Sequence, residues 1–424
     1  MFSRRLIYTM ILAVAALTVG SVVIIWTMRA RSYEYDVRQD YYYNLQDTQA
    51  NISDIKLVDG RLVLPTGKIY NHHSIFLKIN LRSKLTGKFF QPRLVLKSEK
   101  LSLNQYFEHG ASGVRFINIS QLLPEAENIF LEGKHLKIKD ENIQLISFKN
   151  DTLKDKRILV ISPHPDDAEI AAFGLYSTYN DSYIITLTAG DAGEYLYKEL
   201  FSETVEHYLE KGRIRTWNSL TVPLLGGIKA DHILNLGFFD GTLMQMSRDE
   251  NAIMQGIYTG TTDINTFRKQ NISMLSPGLS GVSNWSSLID NLVYLLEEID
   301  PDIIVTPLPA IDYNNDHKYG TKALIQAIKR TGLQEGNLYF YTNGSDISRF
   351  YPLGKTGSIV SLPPNFNREI YFGRIYSHPV SPEMQIRKVL ALDAMNDLRP
   401  NTEWRFYDVA LKRAIRTTGK EIFN

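Results

Sequence analysis

The chain contains no cysteine among its 424 residues, which excludes disulfide bonds and thiolate metal sites. Any transition-metal site must therefore use histidine and carboxylate ligands. Charge of one sign is also lacking, because 47 lysines and arginines balance 46 aspartates and glutamates, and no basic run predicts a nucleic-acid partner. The sequence has neither a Gly-x-Gly-x-x-Gly after a strand nor a Walker loop, so a nucleotide-binding α/β enzyme is the least favoured interpretation.

One long uncharged stretch stands at the N-terminus, from Leu6 to Met28. It is long enough for a bilayer-spanning helix of about 20 residues, and it lacks the short apolar region and small-residue cleavage site of a secretory signal. We therefore predict a membrane anchor over residues 1–31, with a cleaved signal as the alternative. Arg4 and Arg5 ahead of the stretch nearly balance Arg29 and Arg31 behind it. The free N-terminal amine and the short leading segment favour an N-terminus inside. The rest of the chain would then be extracytoplasmic, or periplasmic in a Gram-negative bacterium.

Residues 32–150 contain short segments in which apolar and polar residues alternate. Such segments predict half-buried strands, and several of them separated by turns favour a small antiparallel β-sandwich that serves as an accessory domain. The segments are His73–Arg82, Pro92–Ser98, Lys134–Asp140 and Ile143–Lys149.

Residues 151–424 have a different sequence pattern, in which compact aliphatic runs alternate with segments whose apolar residues have helical spacing, such as Ser286–Ile299. This pattern predicts an α/β domain with a Rossmann-like, open and mostly parallel sheet. Ligands bind such sheets outside the carboxyl ends of the strands. The runs are Arg157–Ser162, Ser182–Ala189, His232–Phe238 and Asp302–Pro309. The long connections 194–230 and 242–285 are predicted to form rim loops or helical insertions that shape a substrate groove.

The first of these strands is followed at once by a His-Pro-Asp-Asp sequence. His164 and Asp167 can converge on one ion there, and His317, just beyond another buried strand, can supply a third ligand at the same sheet edge. Two histidines and one carboxylate with an open position are typical of catalytic zinc, with a nearby carboxylate such as Asp166 as the base. The alternative is that either aspartate only caps the following helix.

The same region resembles the signature of the PIG-L (LmbE-like) deacetylases, in which an aliphatic strand is followed by His-Pro-Asp-Asp and a glutamate. The resemblance covers roughly residues 155–398 and continues in the expected order. Its motifs are Ser162–Glu169, Leu187–Glu194, Leu234–Gly241, Asp312–His317 and a final helix at Glu383–Met395.

The resemblance implies a zinc-dependent N-deacetylase, an amidohydrolase that removes acetyl groups from N-acetylated sugars of a glycan, glycolipid or cell-envelope polysaccharide. Its metal ligands fall on His164, Asp167 and His317, which hold one zinc ion per chain. Its general base falls on Asp166, which takes a proton from metal-activated water.

Four further residues are candidates for the site. Arg215 and Asp240 lie near positions where the family contacts sugar hydroxyls, and Asp316 is expected to orient a ligand imidazole. Asn314 stands where many members have a histidine. Its amide can donate to an oxyanion but cannot supply a proton, and its ordinary role would be a turn or cap. The alternative function is therefore a catalytically impaired, metal-stabilised carbohydrate-binding protein.

Overall fold

The computed structural model describes most of the chain, and every structural statement below refers to that part. The described residues are 4–30, 33–45, 48–65, 73–122, 128–179, 181–333, 335–344, 351, 353–354, 357–396 and 420–423.

Among the described residues, the N-terminal part contains one α-helix, one short 3-10 helix (Leu85–Lys88) and nine strands. The α-helix is α1 (Arg4–Ala30), and the strands are β1 (Asn51–Val58), β2 (Arg61–Val63), β3 (His73–Ser83), β4 (Arg93–Lys97), β5 (Ser102–Tyr106), β6 (Ser112–Asn118), β7 (Ile129–Lys134), β8 (Leu136–Ile138) and β9 (Asn142–Lys149).

Helix α1 was expected to be the membrane anchor. Its side chains are described over residues 8–23. No helix within the described residues combines the length and the apolar character that a bilayer span needs. This finding contradicts the predicted anchor over residues 1–31 and the extracytoplasmic location that was inferred from it.

The nine strands form one antiparallel sheet in the order β5-β4-β7-β2-β1-β9-β3-β6, and β8 pairs with β3. Since β8 directly follows β7 in the chain, the sheet curls back on itself instead of splitting into the two sheets of the predicted sandwich. Strand β3 makes this possible, because it pairs with β6 along one side and with β9 and then β8 along the other. The alternation predicted for the strand is present: Ile75, Leu77, Ile79 and Leu81 enter the core that the sheet encloses.

The C-terminal part alternates strands and helices. These are β10 (Ile158–Ser162), α2 (Asp167–Thr178), β11 (Ser182–Thr188), α3 (Thr204–Thr221), β12 (Ile233–Phe238), α4 (Leu243–Met246), α5 (Asn265–Arg268), α6 (Trp285–Ile299), β13 (Ile303–Pro307), α7 (Asn315–Thr331), β14 (Asn337–Tyr341), β15 (Tyr376–Pro379), α8 (Pro382–Ala394) and β16 (Lys420–Phe423).

Strands β10 to β14 form a parallel sheet in the order β12-β11-β10-β13-β14. Every residue of β10 is buried, because both faces of the sheet are covered. Leu159 and Ile161 pack on one face with α6 and α7, whereas Ile158 and Val160 pack on the other with α2 and α8. The parallel sheet predicted from the aliphatic runs is therefore confirmed in the described residues. The two long connections contain α3, α4 and α5.

The curled sheet and the parallel sheet share a buried apolar cluster, here called the junction cluster. Phe76, Phe116, Ile146 and Phe148 come from the curled sheet, and the remaining members come from the N-terminal segment and the α/β part: Tyr41, Tyr43, Leu308, Ile311, Leu362, Phe372 and Ile375. A domain boundary near residue 150 remains a prediction, and the junction cluster spans it.

A buried ion pair lies beside the junction cluster. Arg115 and Glu108 are 3.4 Å apart, with side chains 2% and 0% exposed. The guanidinium also donates to the carbonyl oxygens of Val37 and Gln39 and lies 4.0 Å from the ring centre of Tyr41. Through these contacts Arg115 binds the segment around Val37 and Gln39, which precedes the curled sheet.

Candidate metal centre

The carboxyl ends of all five parallel strands carry polar side chains that meet at one edge of the sheet. Asp240 follows β12, Asp191 follows β11, His164 follows β10, Asp312 follows β13 and Asn343 follows β14. Parallel strands end at the same edge, so residues far apart in sequence gather there.

Three of the predicted ligands come together at the middle of this edge. His164 Nδ1 lies 3.2 Å from Asp167 Oδ2 and 3.2 Å from His317 Nε2, and His317 Nε2 lies 3.1 Å from Asp167 Oδ2. All three residues are buried. A tetrahedral site with metal–ligand bonds of about 2.0–2.2 Å separates neighbouring donor atoms by about 3.3–3.6 Å. The three donor atoms therefore have the chemistry of one face of a tetrahedral metal site, and their spacing of 3.1–3.2 Å is slightly shorter than that of such a face.

The far nitrogen of each histidine contacts a carboxylate, as metal-binding imidazoles require for a fixed orientation. His317 Nδ1 is 2.7 Å from Asp312 Oδ2. His164 Nε2 is 3.2 Å from Asp240 Oδ1 and 3.4 Å from Asp316 Oδ2. Asp316 contacts the imidazole of His164 and not that of its neighbour His317, and its role in orienting a metal ligand stays a prediction. Asp316 also accepts hydrogen bonds from the backbone of Gly241 and Leu243.

The cluster holds opposite charges in a buried space. Burial would lower the pKa of His317, but the carboxylates of Asp167 and Asp312 outweigh this effect and raise the pKa to about 9. Burial would raise the pKa of Asp167, and the two imidazoles instead hold it well below its usual range. A metal ion that binds these imidazoles would have to displace any proton on the two nitrogens that face it.

Asp166 lies next to this centre with an unusual backbone, at φ 155°. Strained backbone of this kind is concentrated at functional sites. Its carboxylate does not cap α2, so in the described residues the capping alternative fails for Asp166. Oδ1 lies 3.5 Å from Arg215 Nη2, and the same guanidinium donates to the carbonyl oxygen of Pro165.

Asp240 and Arg215 were predicted to bind substrate, and the structure joins them to the metal centre. Arg215 Nη1 is 4.0 Å from Asp240 Oδ2, while the other oxygen of Asp240 faces His164. Burial would raise the pKa of Asp240, but His164 and Arg215 keep it below its ordinary value. Asp191 holds this turn, because its Oδ1 accepts a hydrogen bond of 2.9 Å from the backbone nitrogen of Asp240.

Asn314 is the N-cap of α7, the helix that carries His317. Its Oδ1 accepts a hydrogen bond of 2.7 Å from the backbone nitrogen of Asp316, and its own backbone nitrogen donates to Asp312. The cap role named as the alternative is therefore present. The amide nitrogen's role as an oxyanion donor stays a prediction.

Three residues of the edge were missed by the sequence reasoning as site residues, namely Asp312, Asp191 and Asn343. Two of them lie inside motifs that were already noticed: Asp312 opens the Asp312–His317 motif, and Asp191 lies in Leu187–Glu194. Asn343 had no such signal, because its position next to Asp167 depends on the pairing of β14 with β13.

Comparisons with known proteins agree with the motif. Residues 159–328 match the model of the PIG-L family, described as GlcNAc-PI de-N-acetylase. No curated protein matches the chain.

Similar solved structures include the A40926 pseudoaglycone deacetylase Dbv21, at 16% identity and a TM-score of 0.34, covering 63% of this chain and 96% of that one. The conserved protein TT1542 from Thermus thermophilus has 16% identity and a TM-score of 0.29, covering 57% and 78% of the two chains. GalB, the 4-carboxy-2-hydroxymuconate hydratase from Pseudomonas putida, has 15% identity and a TM-score of 0.29, covering 57% and 79%.

Proposed function

We propose that the PIG-L family domain formed by residues 159–328 makes this protein a zinc-dependent deacetylase of N-acetylated sugars. The family match supports a deacetylase. The observation that carries the metal is the group of three donor atoms from His164, Asp167 and His317, which lie 3.1–3.2 Å from one another. An N-acetylhexosamine within a glycan, a glycolipid or a cell-envelope polysaccharide is the proposed substrate, and no nucleotide cofactor takes part.

His164, Asp167 and His317 would hold one zinc ion, with the position opposite their shared face left for water or substrate. When bound, the ion supplies Lewis-acid chemistry that favours water attack on an amide carbonyl. Asp166 takes the proton of the attacking water and passes it to the departing amine. Arg215 places its positive charge 3.5 Å from Asp166 Oδ1, beside the proposed base.

Arg215 and Asp240 have a second proposed role in binding sugar hydroxyls. Both side chains are partly accessible, at 12% and 16% exposure. Arg215 is held by its hydrogen bond to the carbonyl oxygen of Pro165, and Asp240 by its contact with His164. Side chains held in this way lower the entropy cost of binding a hydroxyl group.

The alternative is a sugar-binding protein with impaired catalysis. It is favoured by Asn314, whose carbonyl oxygen is already engaged as the cap of α7 and which cannot donate a proton to a leaving group. Under this alternative the metal and the sugar still bind, and no acetate is released.

Acetate release from N-acetylated oligosaccharides by the zinc-loaded protein tests the proposal. We expect Asp166→Asn to keep zinc and to lower turnover about 100-fold to 10,000-fold, the usual contribution of a general base. His317→Ala should lose the zinc. Asp290→Asn is the matched control, because Asp290 is an exposed acid paired with Arg330. Normal turnover in Asp166→Asn would exclude Asp166 as the base, and zinc-loaded protein that binds sugar without releasing acetate would favour the alternative.

A further inference from the structure

Asn343 lies beside the metal centre but outside residues 159–328 that match the family model. It follows β14, the edge strand of the parallel sheet. Its side-chain nitrogen Nδ2 donates to Asp167 Oδ1 at 2.8 Å and to the backbone oxygen of Asp167 at 3.2 Å. One amide group thus contacts the proposed carboxylate ligand through Oδ1, whereas the histidines lie near Oδ2.

The two oxygens of Asp167 have different surroundings. Oδ2 lies 3.1 Å from His317 Nε2 and accepts a hydrogen bond of 2.8 Å from the backbone nitrogen of His164. Oδ1 is the oxygen that contacts Asn343. The carboxylate is therefore held by its two oxygens in a fixed rotation, with only Oδ2 directed at the space between the histidines.

We propose that Asn343 is a positioning residue that makes Asp167 bind the metal through Oδ2 alone. The proposal rests on the metal centre of the proposed function. A carboxylate can bind zinc through one oxygen or both, and a donor that occupies Oδ1 keeps that oxygen from the ion. The open position that catalysis requires is then preserved.

A simpler role must be separated from this one. The bond to the backbone oxygen of Asp167 also ties the segment after β14 to the start of α2, and such a tie would matter only for stability. Metal affinity and coordination number distinguish the two roles, because a tie between backbone segments changes neither when the protein remains folded.

The test uses the full chain with Asn343→Ala and Asn343→Leu, where leucine keeps the branched shape of asparagine, with a larger volume, and has no N–H donor. The zinc dissociation constant, measured by chelator competition, should rise about 10-fold to 100-fold, as is typical when the partner of a ligand is lost. In the cobalt-loaded variants, the visible absorption should weaken as Asp167 adds its second oxygen to the coordination of the metal.

Asn365→Ala is the control, because Asn365 Nδ2 donates to the backbone oxygen of Tyr42 and the structure records no contact between Asn365 and the three proposed ligands.

Zinc affinity and a cobalt spectrum equal to those of the unmodified chain, in either folded Asn343 variant, would overturn the proposal. The measurements use metal ions alone and no sugar. Failure of the unmodified, zinc-loaded protein to release acetate would therefore refute the proposed function without affecting the result for Asn343.

Discussion

At the scale of single residues, the buried carboxyl of Asp191 makes stability depend on pH. Burial raises its pKa from 3.8 to about 7, so between these values the folded protein holds a proton that the unfolded chain has released. Stability must therefore fall as pH rises through this window. We expect Asp191→Asn to reduce this decline, measured as the free energy of denaturant unfolding at pH 5 and at pH 8.

Part of the decline should persist in that variant, because burial also raises the pKa of Glu169, to about 8. Asp290→Asn, which changes an exposed acid, should leave the pH dependence unaltered. A decline as steep in Asp191→Asn as in the unmodified protein would mean that Asp191 is ionised throughout this range.

Gly190 leaves the space that the guanidinium of Arg215 occupies at the site. Its φ is +68°, and an added Cβ would lie 2.7 Å from Arg215 Nη1. We expect Gly190→Ala to cost roughly 1–2 kcal/mol for the left-handed backbone and also to lower turnover, because Arg215 must move away from Asp166. Gly227→Ala is the matched control: its φ is +89°, but nothing lies within 4 Å of the added Cβ. Equal turnover in the two variants would refute the role of Gly190.

The sequence predicted the residues whose chemistry is tied to a local motif. His164, Asp166 and Asp167 stand together after a strand, and His317 follows another strand of the same sheet, so the edge where they meet could be inferred. The partners of these residues could not be inferred, because the contacts of Asp312 with His317 and of Asn343 with Asp167 depend on side-chain directions and strand order.

At the scale of secondary-structure elements, the start of α7 combines a cap with a site residue. Asn314 Oδ1 accepts from the backbone of Asp316, and loss of such a cap costs about 0.5–2 kcal/mol. Asn314→Ala should lose this stability, whereas Asn314→Ser should keep it, since serine is a good N-cap. If the amide nitrogen also donates to the oxyanion, Asn314→Ser should raise the activation barrier by up to about 2.7–4 kcal/mol. Turnover should fall accordingly, with zinc content unchanged.

The comparison of Asn314→Ser with the unmodified protein decides the role of this residue. Unfolding midpoints report the cap, and steady-state rates report the oxyanion contact. Equal rates would show that Asn314 acts only through α7, and the predicted oxyanion role would then be withdrawn.

The helices and strands could be predicted where a single pattern, such as a continuous aliphatic run, determines the element. The fully buried strands of the parallel sheet are continuous aliphatic runs, so β10 and β13 were evident. The antiparallel strands were also found, but their assembly into one curled sheet was not. It depends on β3 changing partners from β9 to β8 along its length, and alternation of polarity does not encode partners.

At the scale of the whole molecule, the junction cluster predicts that the curled sheet and the α/β part unfold together. Phe148 from one and Ile375 from the other are both completely buried there, so separating the parts exposes both. We expect a single thermal transition followed by circular dichroism and by tryptophan fluorescence. Two separate transitions would contradict this expectation.

Arg115 should matter for the whole fold, because its removal leaves the carboxylate of Glu108 buried without its cation. Breaking a buried ion pair in this way typically costs about 3–5 kcal/mol. We expect Arg115→Met to lose stability on this scale, measured by denaturant unfolding. Arg330→Met, which breaks the exposed pair with Asp290, should cost at most about 1 kcal/mol. Similar losses of unfolding free energy in the two variants would show that the buried pair stabilises the fold no more than the exposed pair.

The two histidines of the proposed metal centre are separated by 153 positions in the chain. Their meeting depends on the pairing of β10 with β13, so an unfolded chain would have to close a very long loop to form the site, at a cost that grows with loop length. The ligands therefore assemble late, after the sheet exists, and the ion is not expected to guide the early steps of folding. The ion would act instead on unfolding, because a bound ion would join the start of α2 to the start of α7. It should therefore slow unfolding more than it speeds folding.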